Sequence, residues 1–363
     1  MVCRESYLRV LVALMPGKRE SARREPGEGG EGRAGGGGSG VGLGAGVGAA
    51  GVHLERRTPA AVLFAPVPTA APAAPRLRSR AAAFVALTKP RIIELLLVTT
   101  VPTMFVAERG VPSGWLILAT LVGGTLAAGG ANAINMYVDR DIDRIMERTK
   151  NRPLVTGALT PKEALVFAIT LEVLAFAELW LLVNLLSAVL AVSATLFYVF
   201  VYTLWLKRTS THNIVIGGAA GAVPVLVGWA AVQNTLGLAP LVLFAIIFVW
   251  TPPHFWALAI RYKDDYAAAA VPMLPAVATL ARTARQIVLY TIALWACSLW
   301  FADVAGMGTL YLGSAIVLGA AYLFKALQLQ RDATPKRAMG LFSYSITYVT
   351  LLFSAMAIDQ VIG

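Results

Sequence analysis

The chain reads as an all-α integral membrane protein, a bundle of about nine transmembrane helices behind a disordered N-terminal tail, and three observations predict it. Of its 363 residues 57% are hydrophobic and only 14% charged, with a mean hydropathy of +0.68, too few charges for the surface of a water-soluble globule. From residue 84 onward the apolar residues fall into stretches of about 20, the length that crosses a bilayer. The connections between those stretches alternate between cation-rich and cation-poor, as they do in a chain threaded back and forth across a membrane.

The stretches cover roughly 84–107, 115–138, 161–181, 184–205, 212–233, 236–260, 282–303, 307–327 and 339–360, each near the ~20 residues a helix needs to span. Only the region from Val183 to Ser187 separates the third from the fourth. The sixth contains Pro252-Pro253, which is expected to kink or break it because proline supplies no N–H and crowds the preceding turn. Cations follow the second, fourth, sixth and eighth stretches: Arg140, Arg144, Arg148, Lys150, Arg152 and Lys162, then Lys207 and Arg208, then Arg261, Lys263 and Arg282, then Arg331, Lys336 and Arg337. The other connections hold Arg109 as their one clear cation. Positive residues stay inside, so the N-terminus is expected in the cytoplasm, the C-terminus on the opposite side, and the chain in the cell membrane.

Residues 1–83 differ in kind. A Gly-rich block runs from Gly27 to Gly51 and a Pro/Ala block from Pro59 to Pro75, compositions that bury too little apolar surface to fold alone. The expected organisation is a low-complexity cytoplasmic tail over 1–83 and a multi-pass domain over 84–363. The tail carries 12 Lys/Arg against 6 Asp/Glu, so +6 of the formal +11 lies outside the predicted membrane domain, and the basic balance is no argument for a nucleic-acid partner. Arg9 interrupts the apolar run from Tyr7 to Met15, and no small-residue cleavage site follows it directly, so it does not read as a signal peptide. Cys3 and Cys297 have neither a disulfide framework nor metal-ligand spacing.

Function is first legible at the end of the second stretch. Asn135, Asp139 and Asp143 are four residues apart, which on a helix puts them within roughly 80° of one another; Asn132 joins that face and Asp141 leaves it. A single acid at such a boundary caps a helix or sits in a solvated turn, but three polar groups in register at membrane depth mark a functional site. Carboxylates and amide oxygens converging there repel unless a hard cation or a cationic substrate lies between them, which points to Mg²⁺ and a phosphate. The cations of the next loop serve topology; Arg148, Lys150 and Arg152 are also placed to neutralise the remaining phosphate oxygens.

A second constellation runs from Trp250 through His254 and Trp256 to Arg261, Tyr262, Lys263, Asp264 and Asp265. If the helix resumes after the prolines, His254, Arg261 and Asp265 fall within roughly 40° on one face. His254 then serves either packing or binding, and Asp264-Asp265 is a second acidic group at the same membrane face. Lys207-Arg208 and Asn213 are further candidate substrate contacts, while the run from Gly217 to Gly221 reads as close helix packing.

With Asn135-x-x-x-Asp139-x-x-x-Asp143 after a second membrane helix, and a second acidic motif after the sixth, the chain resembles the UbiA superfamily of intramembrane prenyltransferases. Leu87-Thr88-Lys89-Pro90-Arg91, Asn151-Arg152-Pro153-Leu154, Thr251-Pro252-Pro253-His254-Phe255-Trp256 and Pro272-Met273-Leu274-Pro275 make it similar to the haem-farnesylating branch, the haem O synthases, over about residues 84–361. Ala268 and Ala269 stand where the wider superfamily commonly completes a second Asp-x-x-x-Asp, a departure this branch shares and one that weakens a second fully liganded metal. The resemblance implies a Mg²⁺-dependent transfer of the farnesyl group of farnesyl diphosphate to a vinyl group of haem B with addition of water. It implies that Asn135, Asp139, Asp143 and Asp265 hold the metal and act in catalysis. Asn132, Arg148, Lys150, Arg152, Lys207, Arg208, Asn213, His254, Arg261, Lys263 and Asp264 are the expected substrate contacts, with haem B a substrate and not a resident cofactor. A haem A synthase or a terminal oxidase is the expected protein partner. A UbiA-type enzyme acting on an aromatic acid or quinone precursor, or a multi-pass transporter, are the alternatives; a transporter more naturally carries its polar groups near the midplane.

Overall fold

The computed structural model describes residues 77–362, where all regular structure is helical. Residues 1–76 of the predicted tail, Cys3 included, lie outside the described residues. Helix α1 (Leu77–Thr88) starts ahead of the boundary read at residue 84, and its Arg80 pairs with Glu163.

The first predicted stretch is not one helix. Pro90 disfavours the right-handed helical conformation for the residue before it, and Lys89 sits in the left-handed region at φ 52° and ψ 63°. A new helix, α2 (Pro90–Glu108), then starts on the proline, whose fixed φ suits a first helical position. Helix α3 (Gly114–Val138) is followed across Asp139 by the short α4 (Arg140–Ile145). The helix is interrupted there, yet Asp139 N–H still donates to Asn135 O at 2.9 Å and Asp143 N–H to Asp139 O at 2.8 Å, which preserves the four-residue register.

Helix α5 (Pro161–Leu182) opens with a reciprocal cap between Thr160 and Glu163. Helix α6 (Leu185–Thr209) is wound as a π-helix over Phe197–Leu206, which the uniform apolarity of that segment did not disclose. Then come α7 (Asn213–Gln233), α8 (Leu238–Arg261), the short α9 (Lys263–Ala268) and α10 (Leu274–Val277), and the long α11 (Leu280–Val304), α12 (Thr309–Arg331) and α13 (Pro335–Ile362). Helix α8 runs unbroken through Pro252 and Pro253, contrary to the expectation of a break. Both prolines are buried and α8 packs on α7, α11 and α13; membrane helices tolerate such prolines where neighbouring helices support the freed backbone.

Eight helices among the described residues are long and apolar enough to cross a membrane: α3, α5 to α8 and α11 to α13. Helix α2 has a shorter apolar section, Leu97–Glu108. They form a closed ring. Helix α3 packs on α5, α5 on α6 and α6 on α7; α7 meets α2 and α8; α8, α11, α12 and α13 form the second half; and α13 returns to α2. Large apolar side chains such as Leu181, Trp205, Phe200 and Phe324 are exposed on the outside, as a lipid-facing surface requires. Glycine lets backbones approach: a Cβ on Gly228 of α7 would stand 2.6 Å from the carbonyl oxygen of Thr100 in α2.

Candidate active site at the ends of α3 and α6

Asn135, Asp139 and Asp143 are all buried, with Asp139 at 0% exposure. Asn135 Nδ2 donates to Asp139 Oδ2 at 2.7 Å and to Thr203 Oγ1 of the π-segment at 3.2 Å. Thr203 Oγ1 in turn donates to Tyr198 O, five residues back, at 2.8 Å. The π-winding thus turns Thr203 toward Asn135, and one helical turn later Lys207 Nζ bonds Asp139 Oδ2.

Three basic side chains line this face. Lys207 pairs with Asp139. Arg152 Nη1 spans both oxygens of Asp143, at 2.7 and 2.6 Å. The third is Lys89, whose Nζ donates to Asn135 Oδ1 at 2.7 Å. Burial pushes the Lys89 ammonium well below the usual lysine range, Arg152 and Lys207 add to that, and Asp139 and Asp143 oppose it. Lys89 was legible only as part of a motif, because no helical spacing relates it to Asn135; the turn at Pro90 brings it in. Arg208 grips Asp141 at 2.7 and 2.8 Å, which holds that carboxyl well below the usual carboxylate range, and its Nη2 is 3.9 Å from Asp139 Oδ1.

Asp139 Oδ1 is buried with no hydrogen-bond partner. An unfilled carboxylate oxygen beside a second carboxylate and an amide fits a hard divalent cation. No group of three or more His, Cys, Asp or Glu suited to a metal occurs among the described residues, so the protein oxygens assembled here are those of Asn135, Asp139 and Asp143. Asp265 stands apart on α9 and accepts from the Arg148 backbone N–H at 3.4 Å.

The remaining predicted residues divide between this rim and the packing around it. Asn132 donates to Thr88 O at 3.1 Å and fixes the end of α1. Lys150 pairs with Glu147. Arg148 and Arg261 each lie 5.9 Å from the Tyr262 ring centroid, and Lys263 and Asp264 are exposed. Asn213 is fully buried, with Nδ2 3.4 Å from Pro272 O. His254 is buried in α8, two turns before Arg261, with Nδ1 2.6 Å from Ser345 Oγ.

A ring of membrane-length helices that gathers buried carboxylates and cations at one end defines an intramembrane site for an anionic, metal-bound substrate. Over residues 96–351 the chain matches the UbiA prenyltransferase family, and it belongs to that family. A protein of Kineococcus radiotolerans named protoheme IX farnesyltransferase is 54% identical over 77% of this chain and 88% of its own length. One of the same name from Frankia alni is 55% identical over 79% of this chain and 100% of its own. Among solved structures, a UbiA homolog from Aeropyrum pernix superposes with TM-score 0.60 at 20% identity, covering 75% of this chain and 98% of that one. A homolog from Archaeoglobus fulgidus bound to GPP and Mg²⁺ does so with TM-score 0.56 at 15% identity, covering 76% and 99%.

Proposed function

We propose that the protein transfers the farnesyl group of farnesyl diphosphate to a vinyl group of haem B and that water completes the addition, giving haem O and diphosphate. The names of its relatives support the substrates. The observation that carries the chemistry is the buried Asn135–Asp139–Asp143 face with Lys89, Lys207 and Arg152 upon it.

The bond from the first farnesyl carbon to oxygen breaks with its electron pair going to diphosphate. The vinyl terminus bonds to that carbon, water adds at the vinyl carbon next to the porphyrin, and one proton leaves. Asp139 and Asp143 would hold Mg²⁺, with Asn135 and, from α9, Asp265 as further protein ligands; when bound, the ion would offset charge developing on the leaving group. Lys207 and Arg152, now paired with carboxylates, turn to the diphosphate oxygens, and Arg148, Lys150 and Arg208 line the same rim as charge-assisted donors. The farnesyl chain lies among apolar helices, whose walls keep water from the allylic cation until the vinyl group has reacted. His254 contacts the haem, and Arg261 or Lys263 a propionate. Asn132, Asn213 and Asp264 shape the surrounding pocket.

The same reading sets the catalytic rim on the cytoplasmic side of the cell membrane, takes the residues ahead of α1 as a tail apart from catalysis, and makes a haem A synthase or a terminal oxidase the protein that receives the product. The test is incubation of membranes containing the protein with haem B, farnesyl diphosphate and Mg²⁺, with and without chelator, and mass analysis of the porphyrins. A chelator-sensitive gain of farnesyl plus water supports the proposal. Unchanged haem alongside prenylation of an added aromatic acid overturns it and leaves the family intact.

A further inference from the structure

The imidazole of His254 is fixed on three sides. Trp250, one turn earlier in α8, stacks on one face with ring centroids 4.2 Å apart, and Phe342 of α13 stacks at 4.6 Å. Phe255 meets the ring edge-on at 5.1 Å. Ser345 binds both members of the Trp250–His254 stack: its carbonyl accepts from Trp250 Nε1 at 2.9 Å, and its Oγ lies 2.6 Å from His254 Nδ1.

Proton counting assigns the tautomer. Ser345 Oγ also lies 2.6 Å from the carbonyl oxygen of Phe342, which accepts only. A hydroxyl has one proton. Were that proton given to His254, two oxygens with no proton between them would face each other at 2.6 Å. The satisfied arrangement has Ser345 donating to Phe342 O and accepting from the Nδ1–H of His254. The imidazole's free lone pair is then on Nε2. A ring held by its other N–H to an oxygen acceptor is the arrangement that orients metal-ligating histidines.

We propose that Ser345 is a positioning residue that holds His254 with Nε2 available to the iron of the haem substrate. The proposal rests on the haem-farnesylation reading for the identity of the ligand. It assigns no proton transfer and no redox change: Nε2 donates an electron pair to the iron, and Ser345 keeps the other nitrogen protonated.

The test titrates ferric haem B into the purified protein without farnesyl diphosphate and follows the Soret band and the electron paramagnetic resonance spin state. Wild type is expected to give an imidazole-ligated spectrum that His254→Ala abolishes. In Ser345→Ala the dissociation constant for haem rises about tenfold, the lower end of what loss of such a supporting partner costs, with a changed spin-state distribution. Ser345→Thr, which keeps the hydroxyl, restores both. A His254→Ala spectrum identical to wild type overturns the iron contact. A His254-dependent spectrum that Ser345→Ala leaves unchanged overturns the positioning role. If Ser345→Ala does not fold, the Ser345→Thr protein decides, since a wild-type affinity and spectrum are required of it. Turnover of haem B by wild type is measured in parallel: turnover without a His254-dependent spectrum removes this inference alone, whereas no haem binding or turnover removes the functional reading with it.

Discussion

The pairing of Asp139 with Lys207 sets what mutation at the site does. Both side chains are largely out of water, and removing one partner of a buried pair strands the other charge, which costs about 3–5 kcal/mol. Asp139→Asn is therefore expected both to lower thermal stability and to cut turnover about 100-fold or more, the scale of losing a preorganised electrostatic contact. Adding Lys207→Met removes the stranded ammonium. Melting in detergent should then recover while turnover stays low; recovery of turnover in the double variant would show that Asp139 only balances charge. Lys89 offers a second residue-level prediction. Its left-handed backbone costs roughly 1–2 kcal/mol, and its ammonium is buried against an amide, so the strain is offset by something the packing alone does not provide. Lys89→Met is expected to raise KM for farnesyl diphosphate about tenfold, the equivalent of one charge-assisted contact worth ~1.4 kcal/mol, with the haem KM unchanged; equal rises in both would assign Lys89 to general packing. Asp139 and Asp143 were readable in the sequence because four-residue spacing survives even the helix interruption at Asp139. Ser345 was not, because nothing in a run of membrane-helix residues distinguishes a serine that completes a neighbour's tautomer from one that bonds its own backbone.

At the scale of elements, the informative positions are where regular winding stops. Pro90 separates α1 from α2, and the π-segment of α6 brings Thr203 and Lys207 to α3. The proline was visible in the sequence; its consequence for Lys89 depended on how the next helix packs. The π-segment left no trace, since every residue from Phe197 to Leu206 apart from Thr203 is apolar or aromatic and suits either winding. Pro252 and Pro253 show the converse, a strong local breaker overruled by three neighbouring helices. Asp359, near the end of α13, shows how an acid can serve another element. Its Oδ2 accepts from Gly308 N–H at 2.5 Å and its Oδ1 from Tyr311 N–H at 3.1 Å, so it caps the start of α12 from outside that helix. Replacing a capping oxygen costs typically about 1 kcal/mol. Asp359→Ala should therefore lower the melting temperature without altering the Mg²⁺ dependence of turnover, and a changed Mg²⁺ dependence would mean that the two ends of the bundle are coupled.

At the largest scale the described helices form a ring whose halves meet at the α7–α8 and α2–α13 contacts. Which helix neighbours which was not legible, because apolar faces of similar composition do not specify partners; eight of the nine expected spans were, because bilayer thickness sets the length of each apolar stretch, and the alternation of cations adds an expected direction of crossing. That asymmetry gives the last prediction. The ends of α3, α6 and α8 that carry the acidic rim precede the cation-rich connections, and the loop between α7 and α8, Asn234 to Gly237, contains no cation. A protein with Cys3 and Cys297 changed to serine keeps no native thiol. On that background Asp332→Cys, in the connection after α12, should react with a membrane-impermeant maleimide only in inside-out vesicles, and Thr235→Cys only in right-side-out ones. The reverse pattern would put the carboxylate rim on the face away from cytoplasmic metabolites, and the diphosphate substrate would then have to be supplied from outside the cell. Labelling of both positions from one side would contradict the three crossings between them, α8, α11 and α12, because the short α9 and α10 do not approach the ~20 residues that a span requires and an odd number of crossings puts the two cysteines on opposite sides.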